Sequence, residues 1–293
     1  MIRKYKKALI ILWVVALCLA LSASYVIFID RGFTEVCFVS VGQGDSCLIK
    51  CDTGDNILVD GGDTGSGDHT LTNLFRKEFV FKLDAVFLSH MHNDHSKGIY
   101  ELIENGFPIE KIYVSERAHE EDNYSKFNKL CEEENIDIDT LADGDMLSFG
   151  DTLFTVIAAG SDDAILTDEN DYSVVMRMDY GEHSFLFTGD ATQNLEKSIS
   201  SEQGIDTDFL KVAHHGSKTS SDAEFIEAVS PELAVISVGK DNDYKHPSTE
   251  TLRTISSLDI PIMRTDISGN ISIRMTKDNI LSIQEGRKDK ENK

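Results

Sequence analysis

Proline and tryptophan are scarce, at four and one in 293 residues, and no repeat period or low-complexity tract precedes the polar ending "EGRKDKENK". Collagen-like, proline-rich and repeat architectures are thereby excluded. An apolar content of 41% is enough for a sizeable core in a folded globule. Basic residues are also short: 28 Lys and Arg face 51 Asp and Glu, for a formal charge of -23. A bare chain of that charge does not capture nucleic acid by neutralising phosphates, although bound divalent cations would reverse the balance locally. The five cysteines show no CxxC spacing, which argues against a thiolate metal site. Cys37, Cys47, Cys51 and Cys131 are an even number that an oxidising compartment could pair, or else four free half-buried thiols.

Long hydrophobic runs are confined to one place. Arg3, Lys4, Lys6 and Lys7 precede an uncharged stretch of 22 residues from Ala8 to Ile29, enough to span a bilayer as a helix. Positive charge ahead of it predicts a cytoplasmic N-terminus and an exported domain behind it. The rival is a cleaved signal peptide, for which "ALSAS" offers small residues near Ala23. The run continues through Tyr25 to Ile29, longer than an ordinary signal core, which favours an uncleaved anchor over residues 1–30. Cys18 follows Leu17 and so lacks the small neighbour of a lipoprotein site. Either reading exports the remainder, whose charge without the four cations is -27.

From Thr34 onward short apolar runs are closed by Gly, Asp and Asn: "EVCFVSV", "SCLIKC", "NILVDGG", "LDAVFLSH" and "KIYVSE". These predict strands, and "HTLTNLFRKEFVF", "KGIYELIENG" and "YSKFNKLCEEENI" between them carry helical apolar spacing. The second half repeats the alternation, from "MLSFGDTLFTVIAAG" through "FLFTGD", "DFLKVAHHG" and "ELAVISVG" to "NISIRM". Two similar halves, with strands inside and helices outside, predict an α/β (α+β) fold of two sheets packed face to face between helical layers. No linker divides the chain after residue 33, so one domain over 34–280 and a polar tail over 281–293 are expected.

"FLSHMHNDHSKG" carries the chemistry. A buried strand ends at Leu88, and His90 and His92, two apart, can point the same way. Asp94 and His95 follow before Lys97-Gly98 opens a helix. Two ligand pairs result, close enough to serve two metal ions, and imidazole with carboxylate suits zinc, manganese or iron better than calcium or magnesium. "VGQGDS", residues 41–46, lacks the Lys-Ser/Thr ending of a phosphate loop. Its glycines fit either a plain hairpin turn or a turn passing near the metal loop, with Gln43 and Asp45 supporting the ligands.

His90-x-His92-x-Asp94-His95 resembles the signature of the metallo-β-lactamase fold hydrolases, whose four-layer αββα sandwich matches the two-half layout. "NILVDGG" resembles the early strand whose aspartate, here Asp60, orients the metal loop, and "FLFTGD" the strand supplying a bridging carboxylate, here Asp190. With "VGQGDS", "KVAHHGSKTS" and "YKHPS" the match is similar to the hydrolase-like domain of ComEC-type DNA-uptake proteins and their stand-alone relatives, over about Thr34 to Met275. The resemblance implies two divalent ions, zinc or manganese. His90 and His92 would hold one, Asp94, His95 and His246 the other, and Asp190 would bridge them. Asp94 and Asp190 would also orient the attacking water. The long channel domain of the uptake proteins is not in this sequence, so a transport pore is not expected.

His214 and His215 are adjacent, so on an extended chain they face opposite ways; either could face the substrate as a charge stabiliser or proton donor. Ser217, Thr219 and Ser220 would contact a phosphate or cap the next helix. A third histidine for the first metal, usual about twenty residues before the bridging aspartate, is replaced by "DENDYSVV", where Asn170 or Asp171 could coordinate weakly or through water. The expectation is an exported, membrane-anchored, monomeric hydrolase of a phosphodiester, in nucleic acid or a cell-envelope polymer, or of a related ester. The alternatives are lactone or β-lactam hydrolysis on the same centre, or a metal-dependent binding component without turnover.

Overall fold

The computed structural model describes residues 2–28, 32–63, 71–160, 168–202 and 204–286. It divides into a unit ending at Gly32 and a second beginning at Phe33. The first is helix α1 (Ile2–Phe28), with Leu12 and Trp13 among its exposed apolar side chains. Among the described residues no helix is long and apolar enough to cross a membrane, so the structure lends no support to the membrane anchor expected over residues 1–30.

In the second unit the expected strands form two sheets. The chain runs β1 (Thr34–Phe38), β2 (Ser46–Lys50), β3 (Asn56–Gly61), α2 (Leu71–Lys77), β4 (Ala85–Leu88), α3 (Asn93–Glu104), β5 (Lys111–Ser115), α4 (Tyr124–Glu133) and β6 (Asp137–Leu141). It continues through β7 (Met146–Phe149), β8 (Thr152–Ala158), β9 (Val175–Tyr180), β10 (His183–Phe187), α5 (Gln193–Ile199), β11 (Phe209–Lys211), α6 (Ala223–Val229), β12 (Leu233–Ile236), α7 (Thr249–Ser257) and β13 (Ile262–Arg264). A short α8 (Thr265–Ser268) leads to β14 (Ile271–Met275) and β15 (Ile280–Glu285). The sheet orders are β15-β14-β1-β2-β3-β4-β5-β6 and β13-β12-β11-β10-β9-β8-β7. Each half starts with antiparallel hairpins and turns parallel, from β3 to β6 and from β10 to β13. The parallel crossovers require helices, which cover the outer faces.

Alternate residues of the strands divide the core into three layers. Phe38, Ile49, Phe87, Phe154, Phe185 and Phe209 fill the space between the sheets. Phe75, Ile99, Leu102 and Phe127 join the first sheet to α2, α3 and α4; Leu195, Phe225, Ile226 and Ile255 join the second to its helices. Cys37, Cys47, Cys51 and Cys131 are buried and free, and burial lifts the Cys37 and Cys51 thiols to about 11 and about 12. Two strands lie outside the runs expected to form strands. β6 is mostly exposed, and β15 pairs with β14 over residues placed in the expected tail. Both are edge strands with a solvated face, so their backbone bonding is supported by few buried side chains. Residues 287–293 lie outside the described residues.

Glu196 on α5 is fully buried, and its two oxygens share the Ser221 N–H at 2.8 and 2.7 Å. Burial pushes its carboxyl up to about 8 from an ordinary 4.5, only partly opposed by the Ser221 amide. Between those values the folded chain holds a proton that the unfolded chain has shed, so this group lowers stability as pH rises from 4.5 to about 8. In urea titrations, Glu196→Gln is expected to gain on the parent by roughly 2–4 kcal/mol between pH 5 and pH 8. A stability gap independent of pH would show that Glu196 titrates normally.

Candidate metal centre

The carboxyl ends of five strands meet at one edge of the sandwich. β3 carries Asp60 one residue before its end, β4 delivers Ser89 and His90, β10 runs into Thr188-Gly189-Asp190, β11 into Ala213-His214-His215, and β12 into Ser237. Asp60 sits at φ 57, a left-handed backbone that is costly for a residue with a Cβ. There its carboxylate accepts the Ser89 N–H at 2.7 Å, the Ser89 hydroxyl at 2.8 Å and His95 Nδ1–H at 2.8 Å. With Nδ1 donating to Asp60, His95 Nε2 is the atom turned to Asp190 Oδ1, 3.1 Å away. His215 is fixed in the same way. Its Nδ1–H donates to the Ser237 carbonyl at 3.0 Å, so Nε2 faces Asp94 Oδ2 at 3.2 Å and Asp190 Oδ2 at 3.5 Å.

Asp94, His95, Asp190 and His215 thus bring one possible ligand atom each within 4.8 Å of one another. His90 Nε2, His95 Nε2 and Asp190 Oδ1 are buried without a hydrogen-bond partner. Convergent buried lone pairs of imidazole and carboxylate are what a divalent cation satisfies, so the donor set fits a metal. His90 and His95 lie 4.2 Å apart between ring centroids, and His92 is 4.6 Å from His90. The outer side of His92 meets Glu169 at 3.1 Å.

Charge follows this crowding. Burial alone would raise the Asp190 carboxyl, but the imidazoles of His215, His95 and His90 outweigh it and hold the group well below the carboxylate range. Burial would depress His215, yet the Asp190 and Asp45 carboxylates carry it to about 10, and His95 is raised against the same burial by Asp190 and Asp60. His90 is pushed down by burial and by neighbouring His95.

His214 and His215 are not on an extended chain. Their φ values are 50 and 53, followed by Gly216 at 79, and this left-handed turn aims both rings at one carboxylate. His214 Nε2 is 3.7 Å from Asp190 Oδ2, and its side chain, unlike that of His215, reaches solvent. The opposite-facing geometry expected of extended neighbours does not hold here. His246 Nδ1 is buried and unpartnered, and its ring lies 5.8 Å from that of His214 in a cleft of about 400 Å³ that also takes in Asp94, Asp190, His215 and Asn170. In "DENDYS", the Asn170 side-chain oxygen is buried without a partner at the cleft, whereas Asp171 accepts the Thr192 hydroxyl at 2.5 Å.

A scan against family models matches residues 39–240 to the metallo-beta-lactamase superfamily. The chain belongs to the metallo-β-lactamase superfamily. Among curated relatives, ComE operon protein 3 of Bacillus subtilis is 30% identical over 257 residues, covering 82% of this chain and 33% of its own. Competence protein ComA of Neisseria gonorrhoeae is 28% identical, with 73% and 28% covered, and Recombination protein 2 of Haemophilus influenzae is 28% identical, with 86% and 30% covered. The chain spans about a third of the length of these relatives. Of solved structures, the metallo-beta-lactamase fold protein YhfI from Bacillus subtilis aligns with TM-score 0.56 at 17% identity, over 82% of this chain and 99% of that one. The ComEC-type resemblance read from the motifs is thus met by the homologues found, and the superfamily fold by the two-sheet architecture.

Within this metallo-β-lactamase fold, several supporting residues have no signal of their own in the sequence. Ser89 ties Asp60 to the loop, Ser173 Oγ accepts the Asp190 N–H at 3.0 Å, and Glu169 faces His92. Lys211 donates to the Gly189 carbonyl at 2.9 Å and pairs with Asp45, whose other oxygen lies 3.2 Å from His215 Nδ1. "VGQGDS" therefore does more than turn a hairpin. The Asp45 N–H donates to the Asp94 carbonyl at 3.0 Å, and a Cβ at Gly44 would stand 2.3 Å from that oxygen, an approach only glycine permits.

Proposed function

We propose that this superfamily hydrolase cleaves phosphodiesters or closely related esters, with two divalent ions at the centre. The observation that carries the reading is Asp190, a buried carboxylate ringed by His95, His215 and His214, with unpartnered ligand atoms on two sides. His90 and His92, with Asn170 at the cleft, would hold one ion; Asp94, His95, His215 and the nearby His246 offer more donors than the second needs. Asp190 would bridge. Such ions, when bound, supply Lewis acidity that activates water near neutral pH and neutralises charge on the substrate oxygens. Asp94 and Asp190 then orient the nucleophile, and Asp60, Ser89 and Ser237 lock the imidazoles in the tautomer that leaves Nε2 free.

His214 is the better placed of the two adjacent histidines to meet substrate, because His215 is buried and held by Ser237 and Asp94. It would protonate the leaving group or stabilise transition-state charge. His215→Ala is therefore expected to lower bound metal, whereas His214→Ala keeps the metal and loses about 10²–10⁴-fold in kcat. Equal metal content with equal loss of rate in both variants would remove this division of labour.

The phosphodiester is read as nucleic acid or a cell-envelope polymer; relatives named for competence and recombination favour the former. On a chain of charge -23, attraction of such a polyanion falls to the metal centre. The four basic residues ahead of the apolar run are the support for placing the hydrolase domain outside the cytoplasm, and no described helix is long and apolar enough to cross a membrane. The test is a metal-supplemented screen of phosphodiesters, monoesters, lactones and cephalosporins, with elemental analysis beside it. About two equivalents of zinc or manganese and cleavage of bis-p-nitrophenyl phosphate are expected. Stoichiometric metal with no turnover would replace the enzyme by a binding component, and no bound metal would end the reading.

A further inference from the structure

The cleft has a second half that the metal centre does not use. Beyond the carboxylates, the imidazoles and Asn170 its wall is neutral and hydrogen-bonding, with Gln43, Asn93 and Asn123, and no lysine or arginine is among the described residues that line it. The Gln43 amide nitrogen is buried with no partner, while its oxygen accepts the Gly239 N–H at 3.2 Å. At the mouth stands Tyr244, 68% exposed, its ring within 10° of parallel to His246 at 5.8 Å between centroids. The loop presenting it is held from within. Asn242 donates to the carbonyls of Gly239 and His246 at 2.9 and 2.7 Å and accepts the His246 N–H at 3.0 Å.

A fixed, exposed aromatic face beside a charged centre and the unpaired Gln43 amide matches one kind of substrate part: a planar ring with hydrogen-bonding edges, attached to a phosphoryl group. Aromatic side chains stack on any base, and amides pair with base edges. A cation would have been the simpler device for a second phosphate, and none lines this half. We propose that Tyr244 is a specificity-determining residue that stacks on the nucleobase next to the scissile phosphate. This rests on the phosphodiester reading above.

The manganese-loaded full chain is assayed on thymidine 5′-(p-nitrophenyl phosphate) and on methyl p-nitrophenyl phosphate, which share a leaving group and differ by the nucleoside. A preference in kcat/KM of about tenfold for the thymidine ester is expected, carried mainly in KM, as one stacked base provides. That ratio should collapse in Tyr244→Ala and persist in Tyr244→Phe and Tyr244→Trp. Calorimetry with thymidine 5′-monophosphate and ribose 5-phosphate repeats the comparison without turnover, and about tenfold tighter binding of the nucleotide is expected. Equal binding of the two, or binding of neither, overturns the base platform. Methyl ester cleavage without thymidine preference sinks the platform and leaves the phosphodiesterase standing. Nucleotide preference without cleavage of either ester does the reverse.

Discussion

Asp190→Asn is expected to abolish phosphodiester turnover, by on the order of 10³-fold or more, while the chain remains folded. The amide keeps the size of the carboxylate but not its charge, and in the proposed bridging role that loss forfeits several kcal/mol of electrostatic stabilisation at the reacting centre, about tenfold in rate for each 1.4 kcal/mol. His95 Nε2 and His215 Nε2 lie 3.1 and 3.5 Å from this one side chain, so the change also lowers retained metal. Steady-state rates on bis-p-nitrophenyl phosphate, with metal content on the same sample, check both parts. Turnover surviving in Asp190→Asn would take the residue out of the mechanism.

The largest effect on stability is expected at Lys211. It is buried beneath the site, pairs with Asp45 and donates to the Gly189 carbonyl one residue before Asp190. Removing one partner of a buried ion pair strands the other charge at a cost of about 3–5 kcal/mol. Lys211→Met is therefore expected to lower Tm by roughly 6–20 °C in a domain of this size. Asp45→Asn should damage stability comparably. The double variant should recover part of the loss, because no uncompensated charge remains, and a thermal-melt cycle of the four proteins measures that coupling. Strictly additive losses would mean that the two groups do not act as a pair.

The layered fold is legible in the sequence because its parallel strands are buried on both faces, and "AVFL" and "LAVI" read as unbroken apolar runs. The edge strands β6 and β15 are not: β6 is mostly polar and exposed, and the apolar Ile280, Leu281 and Ile283 of β15 stay exposed beside the polar chain end. His90, His92, Asp94 and His95 were visible because one turn supplies them all. The second half of the site is harder to read: nothing in the letters of His214 and His215 announces a left-handed backbone, although Gly216 directly after them is the residue type that tolerates one. Asp45 lies in the turn before β2 of the first sheet and Lys211 at the end of β11 in the second, and no local pattern connects them. Asn170 was identified by the absence of the expected histidine, and Glu169 beside it by nothing until the fold set it against His92.

Asp94 and His215 meet across 121 residues of chain. At about 5–20 residues per second of synthesis, that separation is roughly 6 to 24 s. For that interval the emerging polypeptide displays its first cluster of imidazoles and acids with the opposite wall still to be made, and Asp45, which is to receive Lys211, has no counter-ion. Ion capture therefore belongs to the end of maturation, when the later sheet docks on the earlier one. A premature stop between residues 96 and 190 releases a fragment with the four candidate ligands of the first half and without Asp190.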